Sequence, residues 1–179
     1  MIFKNFKLSL AKLALFLALP LLFSACRGEG LGFTMTYQQD FEIQAGLGVF
    51  DTHVFLITDI PTNMDAFLIN NDADVNDITG IIAREAELSV NFANIDFAFI
   101  REVVVEIYSD DDIQGKEIFF REDVPLNTGI RLQLLPSLPD VHEFLMDDDF
   151  NIRIELKLRD FSPTFIETRF DFQFFAKLE

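Results

Sequence analysis

Reactive and recognition side chains are scarce in this chain of 179 residues: it has one cysteine, no tryptophan, two histidines and two tyrosines. A lone Cys26 forms no intramolecular disulfide and no cysteine metal cluster. His53 and His142 stand far apart, in neither an H-x-H nor an H-E-x-x-H spacing, so zinc chemistry has no motif to use. No G-x-S-x-G surrounds Ser89, Ser109, Ser137 or Ser162, which argues against a serine nucleophile. A carboxylate pair of the glycosidase kind could be drawn from 30 acidic residues, but tryptophan platforms for sugar rings are missing. These shortages point to a protein that is not an enzyme.

Positive charge is scarce too. The chain has 14 Lys and Arg, and three of them (Lys4, Lys7 and Lys12) fall in the first 25 residues. The remaining 11 face 30 acids, a formal charge of −19 beyond residue 25. Phosphate neutralisation needs Lys and Arg, so nucleic acid is excluded as a partner. Docking of the domain's own surface on anionic head groups is disfavoured for the same reason.

The sequence does contain an export pattern. Lys4, Lys7 and Lys12 make a positive beginning, Leu13 to Phe23 an apolar run broken by Pro20, and Ser24-Ala25 a small pair before Cys26. The run is shorter than the roughly 20 residues of a membrane span, and its order of charge, apolar core and small residues is that of a signal peptide. Phe23-Ser24-Ala25-Cys26 resembles the lipobox of bacterial lipoproteins, with Phe23 standing where the family favours Leu. The resemblance implies cleavage before Cys26, lipidation of that residue with fatty acids such as palmitate, and anchoring by more than one acyl chain, since one chain alone holds weakly. Arg27 after the cysteine, by analogy with enterobacterial sorting, implies the outer membrane. The expected organisation is a signal-peptide helix over 1–25, a lipidated cysteine and glycine-rich tether over 26–32, and one domain over 33–179.

The domain is written in period two. Ile152, Ile154, Leu156 and Leu158 alternate with polar or charged residues, as do Phe170, Phe172 and Phe174, which predicts half-buried strands. Leu88, Val90 and Phe92 suggest a third strand, and Phe97, Phe99, Val103, Val105 and Ile107 a longer fourth. Shorter strands are expected at 33–37, 41–43, 53–58, 117–120 and 130–134. Turn residues at 109–115, 125–129 and 160–164 are expected to close hairpins. Eight or nine such strands predict an all-β, antiparallel β-sandwich, jelly-roll or immunoglobulin-like. Val141, Phe144 and Leu145 predict one short helix, and 62–69 a second with Thr62 or Asn63 as its N-cap. This mature part resembles the small all-β envelope lipoproteins of Bacteroidota.

Metal binding has one candidate. Asp72, Asp74 and Asn76 stand at positions 1, 3 and 5 of a D-x-D-x-N loop, with Asp77 next, a spacing that turns oxygens towards a hard cation such as Ca²⁺. Asp77 replaces the glycine an EF-hand needs at position 6, and Ala83 its bidentate Glu at position 12, so an EF-hand is rejected. Asp and Asn also suit loops and caps without any metal. Asp110-Asp111-Asp112 and Asp147-Asp148-Asp149 read as solvated loops, because adjacent residues of an extended chain point to opposite faces. The functional expectation is an outer-membrane-anchored structural or interaction module that meets an envelope protein. The alternative is an extracellular glycan-binding protein, Ca²⁺-assisted through Asp72–Asp77. A phenylalanine-rich interior holding an apolar ligand would need a cavity of several hundred Å³.

Overall fold

The computed structural model describes residues 31–179 other than 93, 111 and 112; Leu31–Glu179 form one compact unit. Its strands are β1 (Gly32–Ile43), β2 (Thr52–Pro61), β3 (Ile78–Val90), β4 (Ile100–Tyr108), β5 (Lys116–Arg121), β6 (Arg131–Pro136), β7 (Asp149–Leu158) and β8 (Ile166–Leu178). Two short helices interrupt them, α1 (Met64–Asn71) and α2 (His142–Leu145). The expected signal-peptide helix and most of the tether lie outside the described residues.

Every strand pairing is antiparallel. The order β1-β8-β3-β6 makes one sheet and β5-β4-β7-β2 the other. The two are linked by a short ladder that pairs Phe119 with Pro136 and Phe120 with Leu135. Consecutive strands alternate between the sheets except at β4–β5, a pair of interlocked Greek keys that defines a jelly roll and excludes the immunoglobulin arrangement. The expected β-sandwich is therefore present in its jelly-roll form.

Period two did its work because each buried side chain has one sheet face to choose. Ile152, Ile154 and Leu156 of β7, and Phe170 and Phe174 of β8, are completely buried. At the centre the Tyr37 ring stacks on Phe172 at 5.3 Å and meets Phe150 edge-on at 5.3 Å. Phe174 is edge-on to Phe150 at 6.2 Å and to Phe172 at 5.8 Å. Such edge and offset contacts add to the area burial, and the rings fill the space in which an apolar ligand would lie.

Several expectations need correction. Residues 33–37 and 41–43 belong to one strand, because Gln39 takes an inward position opposite Phe170 and interrupts the apolar alternation without breaking the ladder. Phe92 lies beyond β3 and is 89% exposed. Phe97 and Phe99 are buried, but in a 3-10 turn capped by Asp96, whose carboxylate accepts from the Ala98 N–H at 2.8 Å. Of the three turns, 109–115 closes a tight hairpin, and 125–129 lies in the wide loop between β5 and β6, which pair only through their two-residue ladder. In the tight hairpin Gly115 takes φ +64°, and a Cβ would sit 2.3 Å from the Ile107 carbonyl. Residues 125–129 and 160–164 also carry the chain from one sheet to the other, and at 160–164 the strands joined do not pair, since turn residues specify reversal but not destination. The domain also starts earlier than residue 33: Gly32 opens β1, where a Cβ would meet the Ala176 carbonyl at 2.1 Å, and the Leu31 carbonyl accepts from the Leu178 N–H.

Candidate functional site

Cys26, the expected lipidation point, lies outside the described residues. The acidic loop does not. Asp72 is the C-cap of α1, in a left-handed conformation at φ 52°. Asp74 caps the 3-10 turn Val75–Asp77, its carboxylate accepting from the Asn76 backbone at 2.9 Å and from the Asn76 side-chain amide at 2.7 Å. Those two bonds hold the Asp74 carboxyl below the usual carboxylate range. Asp77 contributes its backbone, accepting from the Glu179 N–H. The four residues thus serve as caps and turn, and their oxygens do not converge on one point. Among the described residues no group of three or more His, Cys, Asp or Glu is arranged to hold a metal ion.

The fold joins acidic residues that are distant in sequence. Asp110, on the β4–β5 hairpin, lines a groove of about 290 Å³ with Asp147, Asp148, Asp149 and Asn151. Asn151 is buried at its base, donating to Asp110 at 3.4 Å and accepting from the Asp59 N–H at 3.0 Å. Next to it, a larger groove of about 500 Å³ runs between the start of α1 and residues 146–148. The α1 entry is held there by Thr62, whose hydroxyl donates to the Asp147 carbonyl at 2.8 Å. Asn63 occupies the N-cap position, but its side chain makes no capping bond. Sequence spacing could not have joined Asp110 to Asp147; only β4 lying beside β7 does so.

Several other polar side chains make structural contacts. The His53 ring nitrogen bonds the Gly48 carbonyl at 2.8 Å, at the opposite end of the sandwich from His142, which begins α2. Buried Ser162 ties two loops, donating to the Gln44 carbonyl at 2.6 Å and accepting from the Leu47 N–H at 2.9 Å. Tyr37 donates to the Thr62 carbonyl at 2.7 Å, and burial pushes its phenol far above the ordinary tyrosine range. Asp140 receives the N–H groups of Ile81 and His142, each at 3.0 Å. Partial burial pushes its carboxyl up, but these bonds, with His142 and Lys116 close by, outweigh that and hold it below the usual range. Thr168 buries a hydroxyl with no partner.

No protein-family model matches the chain, and no curated protein sequence matches it. Among solved structures it is similar to a chain of the cyanophage Pam1 capsid asymmetric unit, at 11% identity and a TM-score of 0.41, over 83% of this chain and 88% of that one. It is also similar to the decameric BFDV capsid protein, at 11% identity and a TM-score of 0.35, over 82% and 99% of the respective chains.

Proposed function

We propose that the protein is a lipoprotein of the bacterial outer membrane, held by acyl chains on Cys26, whose jelly-roll domain is a non-enzymatic structural or interaction module of the cell envelope. The observation that carries this reading is the amino-terminal order: Lys4, Lys7 and Lys12, then Leu13 to Phe23, then Ser24-Ala25-Cys26. Chain length supports it. Five residues separate Cys26 from Gly32, the first residue of β1, and the six steps between them reach about 20 Å when extended. A tether of that length, rich in glycine, joins an anchor to a folded domain without contributing to its core.

The domain's role follows from what its side chains do. His53, Ser162 and the acidic loop spend polar groups on caps and loop ties, which favours a scaffold whose surface meets other molecules over a reaction centre. The glycan-binding alternative depends on a Ca²⁺ loop at Asp72–Asp77, and the capping bonds of Asp74 and Asn76 weigh against it.

Metabolic labelling with palmitate tests the proposal. The wild-type chain is expected to take up label and fractionate with the outer membrane, whereas Cys26→Ser stays uncleaved and unlabelled. Equal labelling of the two would overturn it.

A further inference from the structure

The two outermost strands of the jelly roll are β1 and β2, and the second is unprotected over residues 52–58. Among the described residues β2 pairs only with β7, so the other side of its backbone is a free edge. Sheet edges are normally blunted by charge, proline or a bulge. On β2 those devices come late: Asp59, at φ 59°, lies in the bulge between Ile57 and Ile60, and Pro61 ends the strand. The preceding seven residues, Thr-His-Val-Phe-Leu-Ile-Thr at 52–58, have none and carry no formal charge with histidine neutral. Val54 and Leu56 point outward and are 51% and 60% exposed. On the inner face Phe55 and Ile57 are only partly buried, while their β7 neighbours Ile154 and Ile152 are completely so. The core is left open along this edge.

We propose that the β2 edge is a self-association surface, on which Thr52–Thr58 pairs antiparallel with the same strand of a second copy. The near-symmetry of the segment about Phe55 selects that occupant, and its lack of charge permits the approach. The chain has a formal charge of −16, and two copies repel over most of their surface. The uncharged strip lets them approach. Behind it, Arg153 and Lys157 on the outer face of β7 are neutralised by Glu106 and Glu102 at 2.7 Å each, which leaves Glu155, opposite Val54, as the one net charge of the neighbouring row. The segment is also self-complementary. A two-fold centred on Phe55 sets Val54 against Leu56 of the other copy, twice, with Thr52 against Thr58 at either end.

The same register sets Asp51 against Asp59 of the other copy, so added salt strengthens the contact by screening them. An edge pairing of seven residues falls short of the ~1,200–2,000 Å² buried in stable complexes. Association is therefore weak and concentration-dependent, and addition of a strand supplies its main-chain hydrogen bonds.

Sedimentation of the full chain in detergent, over a range of concentration and salt, tests the proposal. A dimer that grows with concentration, tightens with salt and weakens by about tenfold or more in Leu56→Lys is expected, because the variant sets a cation into each half of the apolar contact. Urea unfolding of Leu56→Lys must match the wild type, which separates lost pairing from lost folding. A second variant reads the register: in a Cys26→Ser background, Val54→Cys with Leu56→Cys is expected to give a covalent dimer on oxidation, since directly opposed antiparallel residues lie within disulfide reach. A chain that stays monomeric throughout, a dimer indifferent to Leu56→Lys, or crosslinking through Gln38→Cys on β1 but not through the 54/56 pair would overturn the proposal.

Discussion

β1 and β2 are both edge strands, yet only β1 is built as an edge. The outward residues of β1 include Thr34, Thr36, Gln38, Asp40 and Glu42; those at the start of β2 are Thr52, Val54, Leu56 and Thr58. Arg84, left over by a bulge in β3, reaches across β8 to donate to Thr34 and to lie over the Phe175 ring. At its other end β1 is tied to β8 by Asp40, which accepts from Arg169 at 3.1 Å. Inside, Met35 and Ile43 of β1 are completely buried, while Phe55 and Ile57 of β2 are not. A third length of edge, the beginning of β3 where β6 does not reach, is covered differently. There Asp140 accepts from the Ile81 N–H, and the Ile81 carbonyl accepts from the Val141 N–H at 2.8 Å. The contrast teaches that this jelly roll charges one edge, covers another and leaves β2 open.

The difference can be broken first where burial is deepest. Met35→Ala on β1 is expected to cost about 2–5 kcal/mol, because it leaves a cavity in a closed core. Ile57→Ala on β2 removes a comparable volume from a half-open face, and its cost should be less than half as large. Urea denaturation of the two variants measures the difference, and equal costs would mean that β2 is packed as tightly as β1.

Tyr37→Phe is a smaller perturbation of the β1 side. It removes the bond to the Thr62 carbonyl and should cost about 1 kcal/mol. The sign with pH follows from the raised phenol. The folded chain keeps Tyr37 neutral while the unfolded chain ionises near pH 10, so its contribution is present below about pH 10 and is lost as pH rises above it. Wild type should therefore lose stability more steeply than Tyr37→Phe in that alkaline range, as thermal melts between neutral and alkaline pH would show.

Asp140→Ala uncovers the β3 edge. Losing a capping carboxylate costs about 1 kcal/mol at neutral pH. Because the folded carboxyl is held below its usual value, the contribution is present above about pH 4 and is lost as pH falls through the depressed value. The melting temperatures of wild type and variant should converge as acid is added. A constant gap across that range would show that the carboxylate charge plays no part.

Much of the sandwich was legible because alternation reports directly on burial: β7 and β8 are as regular in sequence as in space. The missing parts depend on neighbours. Phe97 and Phe99 keep the spacing of strand residues, yet a cap at Asp96 winds them into a 3-10 turn that buries both. Gln39 hid the length of β1, since a polar residue at an inward position looks like a break. The choice between jelly roll and immunoglobulin sandwich rests on which sheet each connection enters, and that is decided by the packing of whole strands. The meeting of Asp110 with Asp147–Asp149, and the free edge of β2, were invisible for the same reason: alternation assigns a residue to a face but does not say which strand lies alongside. The Asp72–Asp77 spacing suggested a cation, and the short reach of these side chains back to their own backbone explains the caps found instead. The proposed lipobox is the opposite case, carried wholly by residue order.

The central claim is that Cys26 becomes the first residue of a lipid-anchored domain. Intact-mass analysis of the protein extracted from outer membranes addresses it most directly. The account predicts a species lacking residues 1–25 and heavier than the remaining chain by a diacylglyceryl group, with or without a further acyl chain. A mass matching the full-length chain, or a chain cut elsewhere with an unmodified thiol at Cys26, would contradict it.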